Sequence, residues 1–283
     1  METFSMDSDI EHLDIGDQTI VMSLSGGCGS AVALLKAMEK WPDVQIVPVF
    51  ADTATEDPDL YRFLDDLEEF TKLPIVRLNQ GMDIWDCFEH YGIIKYRGAC
   101  KASLELKIKP IMSYVRENFG ADNAVVASGL DFTEPIRQRR MEDRWKPFRV
   151  IHPLDIPPLI SGCDLHAYVK ACGITPPALY DDGYPHNNCG GGCVLAGQGQ
   201  WAGLLKDFPE RFAYHEERER QFFKKTGFSI LNTTEKGVTR PLLLSELRER
   251  VQAGETFSQF RSTCNCMGLK TDSSKNIVSL GLM

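Results

Sequence analysis

The chain lacks the features of a membrane-spanning or exported protein. None of its apolar runs approaches the ~20 residues that a helix needs to cross a bilayer. Its first residues, METFSMDSDIEHLDIGD, are acidic and lack the basic segment and following apolar segment that are typical of a signal peptide. These absences predict a cytoplasmic protein.

The chain also lacks a surplus of positive charge. Its 31 Lys and Arg residues against 40 Asp and Glu residues give a formal net charge of -9. This balance argues against a broadly basic surface for nucleic-acid phosphates, although it leaves a local basic groove open. No internal repeat and no low-complexity tract is present. The one dense basic run is RQRR at residues 137–140, which is either a solvated surface or an anion-binding group.

A disulfide framework is not expected, because the nine cysteines are an odd number and the predicted compartment is reducing. Two cysteine groups nevertheless stand out. Cys189 and Cys193 enclose three glycines, and Cys264 and Cys266 are separated by one residue. Close cysteine pairs in flexible backbone suit soft-metal binding, since several thiolates can converge there. An iron–sulfur cluster, a tetrahedral zinc site and free or redox-active thiols all remain open.

Short apolar segments alternate with helix-like segments in the first part of the chain. Strands are expected at residues 19–23, 44–51, 73–78 and 124–128, and helices at 30–40, after Asp57 and at 106–119. Such alternation predicts an α/β fold with a doubly wound parallel sheet. After about residue 180, helices are expected at 209–225 and 244–252. We therefore predict an α/β domain over residues 1–180 and an α-helical, cysteine-containing region over residues 181–283.

A glycine-rich turn, SLSGGCGS at residues 23–30, joins the first strand to the first helix. Gly26, Gly27 and Gly29 permit tight curvature and close approach of phosphate oxygens, and Ser25 and Ser30 add hydroxyl donors. The pattern matches neither G-x-x-x-x-G-K-[ST] nor G-x-G-x-x-G. From these residues alone the turn is either an anion site or a tight turn without a ligand.

This turn resembles the SGGxDS loop of the PP-loop ATP pyrophosphatases, also called adenine nucleotide alpha-hydrolases. Cys28 and Gly29 depart from that pattern, which often has lysine and aspartate there. Further segments resemble the phosphoadenosine phosphosulfate (PAPS) reductase-like branch of this superfamily. They are Asp52-Thr53 with Glu56, Arg97-Gly98-Ala99-Cys100 with Leu106-Lys107 and Pro110, Ser128-Gly129-Leu130 with Glu134, Arg137 and Arg140, and His152-Pro153-Leu154.

The resemblance implies a Rossmann-like fold and a set of site residues. The predicted nucleotide-binding residues are Ser25, Gly26, Gly27, Cys28, Gly29, Ser30, Asp52 and Gly129. The predicted catalytic residues are Cys100, Lys107, Arg137 and Arg140, of which the three cations suit phosphate or sulfate oxygens. Asp52 is expected either to contact the nucleotide or Mg²⁺, or to cap its turn. The predicted ligands of a [4Fe–4S] cluster are Cys100, Cys189, Cys193 and either Cys264 or Cys266.

Three functions are consistent with these residues. The first is an ATP-consuming enzyme that releases AMP and pyrophosphate, adenylates an acceptor and transfers sulfur from a donor protein or small thiol. Its acceptor class includes nucleic acids, bound directly or through a partner, as in DNA phosphorothioation enzymes of the DndC type. The second is a reductase of PAPS that releases sulfite, although the chain lacks the Glu-Cys-Gly-x-His tail of such enzymes. The third is a non-catalytic, nucleotide-binding iron–sulfur protein.

Overall fold

The computed structural model describes residues 14–257, which form three sheets and the helices around them. The strands of this part are, in chain order, β1 (Thr19–Leu24), β2 (Ile46–Asp52), β3 (Val76–Asn79), β4 (Lys95–Tyr96), β5 (Ala99–Cys100), β6 (Ala124–Ala127), β7 (Arg149–Ile151), β8 (Leu231–Glu235) and β9 (Val238–Leu242). The α-helices are α1 (Cys28–Lys40), α2 (Pro58–Thr71), α3 (Ile84–Tyr91), α4 (Lys109–Asn118), α5 (Pro135–Trp145), α6 (Cys163–Ala171), α7 (Gln198–Asp207), α8 (Pro209–Thr226) and α9 (Leu244–Gln252).

The main sheet is parallel and has the strand order β3-β2-β1-β6-β7. The chain runs outward from β1 to β3 on one side and then continues with β6 and β7 on the other. The sheet order therefore reverses between β1 and β6. In open α/β sheets, ligands bind at such a reversal, beyond the carboxyl ends of the strands. This architecture confirms the predicted α/β class.

Apolar residues on both faces of the main sheet explain why it is covered twice. One face packs against α1 and α2, where Leu34, Leu60 and Phe63 are buried. The other face packs against α4 and α5, where Val115 and Trp145 are buried. The sequence signals at the start of α2 hold: the Asp57 carboxylate accepts from the Asp59 N–H at 2.8 Å, and proline opens the first turn.

A second hydrophobic core joins the C-terminal region to the middle of the chain. It combines Trp85 and Phe88 of α3 with side chains of α7, α8 and α9, including Trp201 and Phe222. The region after residue 180 is mainly helical, as expected, but it also contains the antiparallel hairpin β8–β9. Helix α3 and this hairpin were not expected from the sequence.

Within residues 14–257, no helix combines the length and the apolar character that a membrane span requires.

Candidate functional site

A cavity of about 280 Å³ lies at the carboxyl ends of β1 and β6, where the sheet order reverses. Its floor is formed by the residues that end β1, β2 and β6, and its wall by the first turns of α4 and by α5. The polar or cationic side chains that line it are Ser25, Ser30, Lys107, Ser128, Glu134, Arg137 and Arg144. The cavity thus has the position and the charge that an anionic ligand requires.

Hydrogen bonds within the glycine-rich turn hold it open toward this cavity. The Ser30 hydroxyl donates to the Gly27 carbonyl at 3.0 Å and accepts from the Ser25 N–H at 3.1 Å. Gly27 is the N-cap of α1 and offers no side-chain acceptor to the first N–H groups of that helix. These N–H groups and the positive end of the helix dipole favour a bound anion.

The glycines of the site are required by close packing. A Cβ atom on Gly129 would lie 2.6 Å from the Ser30 Cα and 2.7 Å from its nitrogen, both of which are backbone atoms. A Cβ on Gly27 would lie 2.8 Å from the Tyr180 hydroxyl. Gly26 has a φ of 76°, which favours glycine. The turn after β6 therefore lies directly against the turn after β1, and neither tolerates a side chain at these positions.

Of the residues predicted to bind the nucleotide, Ser25, Ser30 and Gly129 line the cavity, and the others do not: Gly26, Gly27, Cys28, Gly29 and Asp52. The Cys28 side chain is only 1% exposed and packs in the core under α1, where burial raises the pKa of its thiol to about 12. The Asp52 carboxylate accepts from the Ala54 N–H at 2.8 Å and from the Tyr61 hydroxyl at 2.9 Å. Of the two roles open to Asp52, the structure shows the turn cap. Cys28 contributes to the site through its place at the N-terminus of α1.

The predicted cations divide into those that line the cavity and one that does not. Lys107 and Arg137 line it, and Arg137 also forms an ion pair with Glu134. Arg140 is exposed on α5 and is not among the lining residues. Arg144 lines the cavity and was missed, although its position seven residues after Arg137 places both on one face of a helix. Burial and the charge of Arg140 lower the pKa of Arg144.

Glu56 is the centre of a buried polar network that connects the cavity to the cysteines. Its side chain is fully buried. One oxygen accepts from the Lys107 ammonium at 2.7 Å and from the Thr53 hydroxyl at 2.9 Å. The other oxygen accepts from the Cys189 N–H at 2.7 Å. Sequence reasoning noted Glu56 only as part of a family segment and assigned it no role.

Cys100 lies at the end of β5, directly before the helical segment that carries Lys107. That segment contains a π-helical stretch, Ser103–Ile108, which continues into α4. Burial raises the pKa of the Cys100 thiol, while the N–H groups of Ala102 and Ser103 act in the opposite direction. N–H groups at a helix start stabilise a thiolate, so Cys100 is placed for thiol chemistry once a cation or metal offsets its burial.

Cys189 and Cys193 lie close enough to Cys100 that the charges of Cys193 and Cys100 contribute to the pKa of Cys189. Burial is the main cause that raises the pKa of the Cys189 thiol well above its usual value. Cys100, Cys189 and Cys193 therefore lie in one region of the protein, and their role as ligands of one cluster stays a prediction. However, among residues 14–257 no three His, Cys, Asp or Glu side chains are close enough to hold one metal ion. The predicted ligands Cys264 and Cys266 lie outside the described residues.

Comparison with known proteins identifies one family and similar solved structures. The family model for the phosphoadenosine phosphosulfate reductase domain matches residues 19–190, and no curated protein matches the chain. Among solved structures, PAPS reductase from Candida auris in complex with phosphate shares 14% identity, with a TM-score of 0.41, over 58% of this chain and 78% of that chain. The U34-tRNA thiolase NcsA from Methanococcus maripaludis with its [4Fe–4S] cluster shares 12% identity, with a TM-score of 0.42, over 75% of this chain and 73% of that chain.

Fold and site together define an α/β protein in which a glycine-rich turn and a cavity lie at the reversal of a parallel sheet. The family match covers more than half of the chain and includes the turn, the cavity and the first of the two clustered cysteines. The chain therefore belongs to the phosphoadenosine phosphosulfate reductase domain family.

Proposed function

We propose that this protein is an adenine-nucleotide-dependent enzyme of sulfur chemistry. In this proposal it cleaves ATP to AMP and pyrophosphate, adenylates an acceptor and transfers sulfur to it. The observation that carries the proposal is one continuous arrangement of groups. A cavity lined by Lys107 and Arg137 lies on one side of Glu56, and the segment that carries Cys189 lies on the other. The charges of Cys100 and Cys193 both act on the pKa of the Cys189 thiol.

The turn at residues 25–30 would bind the phosphates, because Ser25 and Ser30 line the cavity and α1 begins within the same turn. An acceptor oxygen then attacks the α-phosphorus, the bond from that phosphorus to the bridging oxygen breaks, and pyrophosphate leaves. Lys107 and Arg137 stabilise the negative charge that builds up on the phosphate oxygens. The terminal sulfur of a persulfide, carried by a donor protein or a small thiol, then attacks the adenylated atom, and AMP leaves with the bridging oxygen. A second thiol finally cleaves the S–S bond, so that the sulfur stays on the acceptor and the donor forms a disulfide with that thiol.

The acceptor class that we favour is a nucleic acid. The net charge of -9 makes a broad basic face unsuitable, but α5 carries a local group of exposed cations beside the cavity mouth. These are Arg139, Arg140 and Arg144. Phosphate groups next to the reacting atom would meet this face of α5, directly or with a partner protein.

A second function, reduction of PAPS to sulfite, is favoured by the family match over residues 19–190. In that reaction a thiolate attacks the sulfur of PAPS, the bond from that sulfur to the bridging oxygen breaks, and adenosine 3′,5′-bisphosphate leaves. A second thiol must then release sulfite, and two cysteines become a disulfide. Cys100 and either Cys189 or Cys193 are the candidates for this pair, because the charges of Cys100 and Cys193 both act on the pKa of Cys189.

Product analysis distinguishes the two reactions. Full-length protein prepared without oxygen is incubated with ATP and, separately, with PAPS, each with a thiol reductant. Our proposal expects AMP and pyrophosphate from ATP and no sulfite from PAPS. Release of sulfite from PAPS without cleavage of ATP would contradict this proposal and show that the protein is a PAPS reductase. Tight nucleotide binding without either product would show a non-catalytic, nucleotide-binding protein.

A [4Fe–4S] cluster remains a separate proposal. Cys100, Cys189 and Cys193 supply the thiolate donors that such a cluster requires, but among the described residues no three such side chains are close enough to hold one metal ion. For this reason no step above depends on the cluster. Iron and acid-labile sulfide in anaerobically purified protein would support it. Fully active protein with neither iron nor sulfide would exclude it.

A further inference from the structure

The segment that carries the cysteines is attached to the nucleotide site at two separate points. At its start, the Asn187 amide donates to the Gly26 carbonyl of the glycine-rich turn at 2.9 Å. Two residues later, the Cys189 N–H donates to Glu56, which also holds Lys107. Gly26 precedes Asn187 by 161 residues, and Glu56 precedes Cys189 by 133 residues. Neither contact is a consequence of local chain geometry.

Asn187 is built into this contact more tightly than a surface asparagine would be. The residue is 1% exposed, and its amide nitrogen faces the turn backbone. Its side-chain oxygen is buried and has no hydrogen-bond partner among the described residues. Burial of an amide oxygen without a hydrogen-bond partner costs free energy. The packing around Asn187 must therefore hold its side chain in this buried position.

The segment itself is held in a conformation that side chains rarely adopt. Cys189 has a φ of 52°, which is in the left-handed region that favours glycine. The Cys189 carbonyl accepts from the Gly192 N–H at 2.8 Å, and the Asn188 carbonyl accepts from the Gly191 N–H at 3.2 Å. A left-handed non-glycine residue persists only where its surroundings fix it, and the bond to Glu56 is one such restraint.

We propose that Glu56 and Asn187 are positioning residues that couple nucleotide binding to the order of the cysteine segment at residues 186–193. This inference rests on the proposed function, because it requires a nucleotide in the cavity. A phosphate group in the cavity contacts the turn, whose Gly26 carbonyl is held by Asn187. The same phosphate meets Lys107, whose ammonium is held by Glu56. Occupancy of the cavity is thereby linked to both attachments of the segment.

The coupling has a thermodynamic requirement. A ligand shifts a conformational equilibrium only when it binds one state more tightly than the other. The turn and Lys107 have their present positions only while the segment is closed, so the nucleotide should favour the closed state. It then lowers the population of the opened segment, and the effect grows with ligand concentration above the Kd. Without Glu56 or Asn187, open and closed states bind the nucleotide alike.

Hydrogen exchange measures this opening directly. The N–H groups of Cys189, Gly191 and Gly192 exchange when the segment opens, and mass spectrometry follows them in a peptide that covers residues 186–193. Full-length protein is measured with and without saturating ATP, after calorimetry has given the Kd of each variant. We expect ATP to slow exchange of these amides at least about fivefold in the natural protein.

The variants Glu56→Gln and Asn187→Ala should retain ATP binding but lose this ATP-dependent slowing. A purely structural role would raise exchange equally with and without ATP, so the ATP dependence distinguishes positioning from structural support. Glu219→Gln is the matched control for a buried carboxylate that accepts backbone N–H groups, at 2.8 Å from Ile230 and 2.6 Å from Leu244. Asn118→Ala is the control for a surface amide. Both controls should keep the slowing.

Two results would overturn the inference in distinguishable ways. If ATP binds the natural protein but does not slow exchange of the segment, or slows it equally in Glu56→Gln and Asn187→Ala, the coupling is wrong and the proposed function is untouched. If calorimetry and exchange detect no binding of ATP or of PAPS to the natural protein, the inference and the proposed function both fail.

Discussion

Two buried carboxylates show how the two halves of this molecule differ. Glu56, beside the parallel sheet, is bound by the Lys107 ammonium, a hydroxyl and the Cys189 N–H. Glu219, in the C-terminal core, accepts only the backbone N–H groups of Ile230 and Leu244 among its described hydrogen bonds. The first group joins the Lys107 cation to the segment that carries Cys189, whereas the second joins a helix to a hairpin and another helix.

The different partners of Glu56 and Glu219 indicate which region carries the candidate site and which region stabilises the fold. In the C-terminal core, polar groups serve the fold: the Trp85 indole donates to His215 Nδ1 at 3.0 Å, deep among aromatic rings. In the sheet region, the polar groups collect at the cavity, where the two cores meet through residues 186–193. Substitutions at the cavity should therefore change binding, and substitutions in the C-terminal core should change stability.

The largest effect is expected from Gly129→Val. Its side chain would collide with the backbone of Ser30, so the glycine-rich turn must move. We expect loss of measurable ATP binding by calorimetry, with the cooperative unfolding of the protein retained. Gly197→Ala is the matched control, because a Cβ there meets no atom within 4 Å. Unchanged ATP affinity in Gly129→Val would show that the nucleotide does not bind in this cavity.

The next effect is a pH dependence of stability from Glu219. Burial raises the pKa of Glu219 to about 7, against a usual value of 4.5. Protonated Glu219 therefore stabilises the folded state, and this contribution is complete below pH 4.5. It is lost as the pH rises through 7, because Glu219 ionises at a lower pH in the unfolded chain than in the folded protein. The difference between the two pKa values corresponds to about 3 kcal/mol of unfolding free energy. Urea unfolding from pH 4.5 to 8 should show this slope in the natural protein and not in Glu219→Gln; equal slopes would contradict the burial of an ionisable group.

A smaller effect on binding is expected from Arg137→Ala. Loss of a charge-assisted hydrogen bond to a phosphate oxygen should weaken ATP binding by about 2 kcal/mol, or roughly thirtyfold. The unfolding free energy should change little, because Arg137 is paired only locally with Glu134. Arg139→Ala, an exposed neighbour that does not line the cavity, is the control. Equal effects of the two variants would show a general charge effect instead of a binding contact.

The smallest effect is expected from His215→Leu. This change leaves the buried Trp85 N–H without its acceptor and should cost about 1 kcal/mol of unfolding free energy. Burial lowers the pKa of His215 to about 4, so the ring is neutral at pH 7 and no charge is removed. Denaturant titration checks the loss. A larger effect on ATP affinity than on stability would break the division between the two regions.

The sheet region could be predicted because its signals are local. Apolar runs predicted β1 and β2. The glycine-rich turn predicted the start of α1, and Asp57 with Pro58 predicted the start of α2. Helices α8 and α9 also agree closely with the sequence pattern. In each case the residues that specify the element lie within the element or next to it.

The C-terminal core and the connection between the regions depend on distant contacts. The β8–β9 hairpin turns at Lys236 and Gly237, both with positive φ, but its polar strands carry little apolar alternation. Helix α3 has only eight residues, although its Asp83–Asp86 capping box was a readable signal. Glu56 contacts Cys189 only because the two cores pack together. A contact between residues so far apart in the chain leaves no pattern in the sequence from which it could be predicted.

Photo-crosslinking with 8-azido-ATP tests the location of the nucleotide most directly. Full-length protein is irradiated with the probe, with and without excess ATP, and the labelled peptides are mapped by mass spectrometry. We expect ATP-sensitive label in peptides that contain cavity-lining residues, from the glycine-rich turn or from residues 128–145. Label confined to other parts of the chain, or label that excess ATP does not reduce, would contradict a nucleotide site at the reversal of the sheet.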